Sequence, residues 1–440
     1  MTMSVSQPLR MPFTQAPPAT GHWQVGLFVG WMCLAPSMPG TPLRDAYAYV
    51  LAGSVILYLI SSPQWTEQLL RAWLQPSALG MLVGVLGTWV STVMTPLPVT
   101  ASDQFQLGRE LYPLMLIAGL PVLWRGLSLR QINESCERFG WLFLAGCLAG
   151  FLLQSVSSAF FDIMLQYYYT EFNDQARGFM EARPGLTFGN PNVLGIAIAF
   201  VGISMAANRT IPAWKAVAVL GLSGVLIAWT ASRTGMFAFA VGILPLGLLR
   251  IGRLLPGLVM AALGLFVLSF IVDMSAYSDY FSNLMYRFFQ DRSSMKERED
   301  LWAMLLSGGE WPNNSLFGLG PAKQSEAIFD SGYVLALYRY GYFGLFCTTW
   351  WQACLLLSGV YEIMKGDPAG QGLRRTCLAA CFACASYAMA PLTDPRLCAL
   401  YLLLLSTTTI AVPAAMATRP AAPYQPARHA RSPEIRPCAS

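Results

Sequence analysis

Charged residues make up only 12% of this 440-residue chain, against about 25% in an average soluble domain. A shortage on that scale excludes an ordinary soluble fold, in which a charged shell surrounds one core. Histidine is scarcer still. The only two, His22 and His429, lie near the ends, so imidazole acid–base chemistry is excluded from the interior. The net charge of +5 comes without a clustered basic patch, which excludes a nucleic-acid partner. Ten cysteines supply neither a disulfide nor a metal framework. Cys147, Cys347, Cys354, Cys377, Cys381, Cys384 and Cys398 fall inside apolar runs, where cysteine behaves as a small hydrophobe. Cys377, Cys381 and Cys384 have helical spacing but no histidine beside them, and read as packing rather than as a ligand row. No repeat of solenoid length recurs, and no matched pair of Gly/Pro-broken spans points to an inverted-repeat transporter.

What the chain does have is apolar length: 55% of it is hydrophobic. Runs of about 20 apolar residues are what a helix needs to cross a bilayer. Such runs cover roughly 23–39, 46–62, 78–95, 110–125, 139–160, 190–207, 212–229, 233–250, 254–272, 331–360, 373–391 and 395–415. The expectation is an all-α polytopic membrane protein of about twelve transmembrane helices. Residues 1–22 read as a cytoplasmic tail without a cleavage site. Residues 23–272 carry spans one to nine, and 273–330 a long loop with two short helices. Residues 331–415 carry spans ten to twelve, and 416–440 a disordered, Pro- and Arg-rich cytoplasmic tail.

Sidedness follows from Lys and Arg in the connections. With both termini inside, sixteen basic residues, including Arg130, Arg138, Lys215, Arg374 and Arg375, fall on the cytoplasmic side against six acids. The loop of residues 273–330 is then extracytoplasmic. Within it Tyr280, Phe281, Leu284, Met285, Phe288 and Phe289 form one helical stripe. That stripe fits a helix lying in the membrane interface or one packed on the bundle's mouth. Ser294 and Glu297 have capping-box spacing ahead of a second helix.

Polar groups gather at one membrane face: Arg183 with Asn190 and Asn192, Arg233 in a tight turn, Asp330 and Arg339, Asp394 and Arg396. Charges beside apolar spans usually face a bundle interior or a wet cavity, or form structural ion pairs. Asp330 and Arg339 stand nine residues apart, on opposite sides of a helix at 100° per residue, so they cannot pair within it.

The order "RPGLTFGNPN", "WTASRTGMFAFAV", "REDLWAMLL", "SLFGLGP" and "DSGYVLALYRYGYFG" resembles the O-antigen ligase and O-antigen polymerase superfamily over about residues 180–400. Those are inner-membrane, GT-C-like glycosyltransferases that move a glycan from undecaprenyl diphosphate to a hydroxyl. The resemblance implies catalytic roles for Arg233, Arg298 and Asp330. It implies substrate contacts for Gly318, Gly320, Ser331, Tyr333 and Asp394, beside Arg183, Asn190, Asn192 and Arg339 from the polar rim. Ligases carry a histidine where this chain has Asp330, a departure that tilts the reading toward a polymerase. The implied partners are a lipid-linked glycan donor, a glycan or lipid A–core acceptor, the bilayer, and a chain-length regulator. A protein O-glycosylating relative is a further reading within this class.

The chemistry asks for diphosphate neutralisation and a positioned hydroxyl. Arginine's planar fork suits phosphate, so Arg233 and Arg298 come first. The outer face has no Asp-x-Asp pair, and neither a cofactor nor a catalytic metal is expected. Asp330 serves as base or orienter of the acceptor, as a helix cap, or as both. Tyr333, Tyr338, Tyr340 and Tyr342 fit sugar stacking and the membrane-interface belt alike. A lipid-linked sugar transporter is the rival class.

Overall fold

The computed structural model describes residues 21–38, 46–94, 98–124, 127–169, 183–271, 293–307, 311–320, 331–367 and 370–409. Among them the chain forms fourteen α-helices and no strand. In order these are α1 (Gly21–Leu34), α2 (Ala46–Ile60), α3 (Trp65–Trp73), α4 (Pro76–Met94), α5 (Ala101–Leu123), α6 (Leu129–Val156) and α7 (Ser158–Tyr167). Then follow α8 (Pro191–Ala206), α9 (Ala213–Trp229), α10 (Arg233–Ile271), α11 (Ser293–Ser307), α12 (Gly332–Met364), α13 (Gln371–Ala388) and α14 (Pro395–Ser406).

The helices fall on the apolar runs, and the all-helical class holds. Four stretches are long and apolar enough to cross a bilayer: α4, α6, Arg233–Arg250 of α10, and α12. Five of the expected spans appear as shorter apolar helices, such as Pro395–Ser406, so the count of twelve exceeds what helix length establishes. A kink at Arg250, φ −135° and ψ 20°, falls where the expected spans 233–250 and 254–272 meet. The connection after α2 holds α3, a short helix with no buried residue. The stripe at Tyr280–Phe289 and the terminal tails up to residue 20 and beyond 409 lie outside the described residues. The helix after it forms, beginning at Ser293, one residue ahead of Ser294.

α8 is the axis of the bundle. Every residue of it except Asn192 is buried, because its sequence is apolar or small all round rather than striped. α14 is equally enclosed from Arg396 to Ser406. Both start the same way, with Asn190 or Asp394 as cap and Pro191 or Pro395 in the first helical position. There the side-chain oxygen takes an orphan N–H and the missing proline N–H costs nothing. An aromatic knot locks the centre: Phe382 lies 4.3 Å from Tyr401 and 5.2 Å from Trp351, and Phe200 lies 5.0 Å from Tyr401. The Cys377 and Cys381 side chains are fully buried in this core, as packing groups.

Arg374 and Arg375 are buried rather than free in a connection. Arg374 donates to Thr407 Oγ1 at 3.1 Å and Asn133 Oδ1 at 2.9 Å. Arg375 reaches Glu362 at 2.9 Å and the Thr408 carbonyl. Cations at the end of α14 satisfy its unpaired carbonyls and suit its dipole.

α12 is not the single uninterrupted span expected at 331–360. It breaks at Gly341, whose φ of 67° and ψ of −165° lie in a region essentially reserved for glycine. The break exposes backbone groups on both sides, and residues 311–320 satisfy them. Leu319 N donates to the Tyr338 carbonyl at 3.2 Å, and Gly320 N to that of Arg339 at 2.8 Å. Trp311 Nε1 donates to the Leu337 carbonyl at 3.2 Å. From the second half of α12, Tyr342 N and Phe343 N donate back to Ser315 and Leu316 at 2.8 and 3.1 Å. A broken helix inside a membrane bundle requires such re-pairing.

Candidate active site

Two clusters of the expected site residues form, one at the start of α8 and one at the break inside α12. The first gathers around the start of α8. Arg183 Nη2 donates to Asn192 Oδ1 at 3.1 Å and to the Ala231 carbonyl at 3.0 Å, and its Nε to Thr230 O at 3.3 Å. Asn190 Oδ1 in turn accepts the Asn192 backbone N–H at 2.8 Å. The carbonyls that hold Arg183 belong to the turn between α9 and α10. Ala231 in that turn has φ of 48°, uncommon for a residue with a side chain and of the kind that clusters at functional sites. Two residues on, Arg233 opens α10 and is half-buried.

The turn sits tightly on α8. The Ser232 hydroxyl accepts the Gly235 N–H at 3.0 Å, and a Cβ on Gly195 would meet Ser232 at 2.8 Å. Small residues let the two backbones approach. The sequence "TASRTG" therefore puts Arg233 in the turn whose carbonyls hold Arg183, packed on α8, whose dipole favours an anion at its N-terminus.

The second cluster is the mended break of α12. Gly318 and Gly320, at φ of 74° and 99°, bring the 311–320 backbone against Arg339, whose carbonyl also accepts from Ser91 at 3.2 Å. Their observed work is to seat this loop. Arg339 itself is half-buried and lies against the Tyr340 hydroxyl. Tyr340 donates to Glu110 at 2.6 Å.

Other expected residues are occupied structurally. Ser331 is buried and caps α12 through Val334 N at 3.4 Å, taking the capping place considered for Asp330. The Tyr333 hydroxyl, with one proton to donate, lies 2.5 Å from Gln352 Oε1 and 3.0 Å from the Ala383 carbonyl, facing α13. Asp394 accepts the Leu397 N–H at 2.8 Å. Asp330 and the side chain of Arg298 lie outside what is described. Arg298 stands one turn before Trp302, which is buried at 6.2 Å from the Tyr387 ring, so α11 docks on the end of α13. The Trp302 indole N–H finds no acceptor among the described residues.

The sequence reading underrated two groups. Arg396, noted only as a rim charge, is buried and donates to the carbonyls of Cys33 at 3.3 Å, Thr187 at 2.5 Å, and Ala35. It lies 4.4 Å from the Tyr47 ring and 5.3 Å from that of Tyr168. Burial pushes the Tyr168 phenol up, and the Arg396 guanidinium pulls it partly back. An arginine straight after a capping Asp-Pro was the available signal. Glu110 gave none, since it stands at the edge of an apolar run. Beyond Thr187 an apolar groove of about 750 Å³ opens between α1, α6 and α7, lined by residues such as Val29, Phe143, Gly146 and Met164. That is within the size range of ligand pockets, about 300–1,000 Å³.

A family model described as O-antigen ligase matches residues 217–349, less than a third of the chain. The match bears out the resemblance read from the motifs. It spans Arg233, Arg298, Gly318, Gly320, Asp330, Ser331, Tyr333 and Arg339, and leaves Arg183, Asn190, Asn192 and Asp394 outside. No curated protein matches the chain.

Proposed function

We propose, with the O-antigen ligase match as premise, that this protein is a bacterial inner-membrane glycosyltransferase. It moves an undecaprenyl-diphosphate-linked glycan to an acceptor hydroxyl at the periplasmic face, as an O-antigen or exopolysaccharide polymerase. The observation that carries this reading is the Arg183–Asn192 cluster on the turn that bears Arg233. Arg183 is fixed by three hydrogen bonds, so its charge is positioned before substrate arrives. Arg233 and Arg298 complete the grip on the diphosphate, and the dipole of α8 favours negative charge at its N-terminus.

Diphosphate on a polyprenol is a competent leaving group, so charge neutralisation and positioning supply most of the catalysis. Guanidiniums take the place a divalent cation would hold, so transfer assayed in EDTA is expected to keep its rate. The groove beside Thr187 gives the polyprenyl chain an apolar path starting four residues from Arg183. Asp330, which precedes the buried cap Ser331 in the sequence, is assigned the role of orienting the acceptor.

A second reading, transfer to lipid A–core, is favoured by the description of the matching family. Asp330 in place of the ligases' histidine favours the polymerase. Purified protein in lipid nanodiscs, given lipid-linked glycan with and without lipid A–core, separates the two. Lengthened glycan with release of undecaprenyl diphosphate marks a polymerase, and glycan joined to the core marks a ligase. Neither product, with the donor intact, refutes the transferase reading and leaves a transporter.

A further inference from the structure

Glu110 lies in the third turn of α5, a helix opened by the reciprocal Thr100–Asp103 cap. Its Oε1 accepts the Tyr340 hydroxyl at 2.6 Å and Gln106 Nε2 at 3.1 Å. Its Oε2 has no hydrogen-bond partner among the described residues, and no ion pair there involves Glu110. Glu110 is half-buried, and Arg339 lies against the same Tyr340 hydroxyl from which Glu110 accepts; an ionisable group placed this way among apolar helices is by default read as functional.

Three cavities meet at this side chain, of about 30, 70 and 80 Å³. The first is bordered by Tyr49, Arg109 and Thr393, the second by Thr88 and Thr348, the third by Arg339, Gln352 and Ser386. Each exceeds the roughly 10–15 Å³ that a water needs, so each leaves room for water at the carboxylate.

Depth in the bundle follows from backbone contacts. Arg109 Nη2 donates to the Thr393 carbonyl at 3.4 Å and the Tyr112 hydroxyl to that of Pro395 at 3.1 Å. Glu110 is therefore level with the start of α14. Arg396, in the first turn of α14, reaches Thr187, three residues before the cap of α8. The carboxylate and the arginine cluster thus share one layer of the bundle.

We propose that Glu110 is a catalytic carboxylate: its Oε2 receives the acceptor hydroxyl and takes the proton as the glycosidic bond forms. This assignment rests on the transferase reading above. The acceptor oxygen attacks the anomeric carbon, and the bond from that carbon to the phosphate oxygen breaks. The electron pair departs with the lipid diphosphate. The hydroxyl proton passes to Glu110 and from there to solvent. Tyr340 and Gln106 hold Oε1, which leaves Oε2 as the free acceptor, while Asp330 acts as an orienting group.

The test uses the full chain in nanodiscs with an undecaprenyl-diphosphate-linked oligosaccharide and its acceptor. Glu110→Gln is expected to lower kcat by about a hundredfold or more, the lower part of the range for a general base. Its affinity for undecaprenyl diphosphate stays within about threefold. Formate restores part of the rate of Glu110→Ala, a rescue that a structural role does not give. Glu137→Gln, whose parent pairs with Lys215 at 2.8 Å on α6, serves as control and keeps the wild-type rate.

A Glu110→Gln protein retaining more than about a tenth of the wild-type kcat overturns the assignment. So does a fall in lipid affinity that matches the fall in rate, or an Ala variant deaf to formate. A wild-type protein that transfers to no acceptor removes the transferase reading itself, and is told apart from these outcomes by the wild-type lane alone.

Discussion

Replacing Gly341 by alanine probes the break in α12 without touching a charged group. A Cβ there would lie 2.4 Å from the Leu316 and Ser315 carbonyl oxygens, and the backbone angles exclude a side chain on their own account. The five bonds that mend the break run between residues 311–320 and 337–343. Relief of the clash must push the loop away, or straighten α12 and so withdraw the groups the loop pairs with. Strain of about 2 kcal/mol and two or three lost bonds of about 1 kcal/mol each cost roughly 4–5 kcal/mol in all. The cost is local, because all five bonds lie between those two short segments. Hydrogen exchange at the Leu319, Gly320 and Tyr342 amides is therefore expected to accelerate by roughly a thousandfold, with the α8 amides unchanged. Glycan transfer falls with it, since Arg339 and Tyr340 sit at the break. Unchanged exchange at those three amides, or exchange that rises equally throughout α8, would refute the account of a locally mended helix.

Arg183→Ala and Arg233→Ala are each expected to cut transfer at least about a hundredfold while the bundle stays folded; Arg183→Lys, which lacks the planar fork, recovers little. Wild-type rates in both alanine variants, measured with lipid-linked donor, would remove the diphosphate grip. Gly146→Phe projects a ring into the groove from a position with open space around it; it should raise the donor KM several-fold, by about 1 kcal/mol, with kcat kept. An unchanged KM would mean that the lipid chain runs elsewhere. Arg396→Met leaves the Cys33, Ala35 and Thr187 carbonyls unpaired. It should destabilise the protein by about 3 kcal/mol or more, read as a lowered Tm in a thermal scan.

Much of the local geometry around the candidate site was legible because short motifs carry their own backbone preferences. "GNPN" and "TDPR" announce capped, proline-started helices, and "TASRTG" announces a tight turn between spans. Each residue type there has one dominant backbone use. The same logic misled at "LYRYGYFG". A run of apolar and aromatic residues reads as one span, and nothing local shows that Gly341 takes an angle no other residue tolerates. Gly318 and Gly320 read as substrate-facing, whereas their observed contacts are with the α12 backbone. Glu110 was passed over because its partner Tyr340 is 230 positions away in the chain.

The sequence by itself determined that the described residues are helical, that several helices are apolar and long enough to cross a bilayer, that no imidazole serves the interior, and where most helices begin. Those features follow from nearest-neighbour chemistry: apolar length, capping oxygens, and the missing N–H of proline. Only the tertiary structure decided which charges share a layer, which loop mends which helix, and which carboxylate oxygen is left without a partner. Hydrogen bonds between distant segments depend on how the helices pack, and packing is set by the whole set of contacts at once rather than by any stretch of residues.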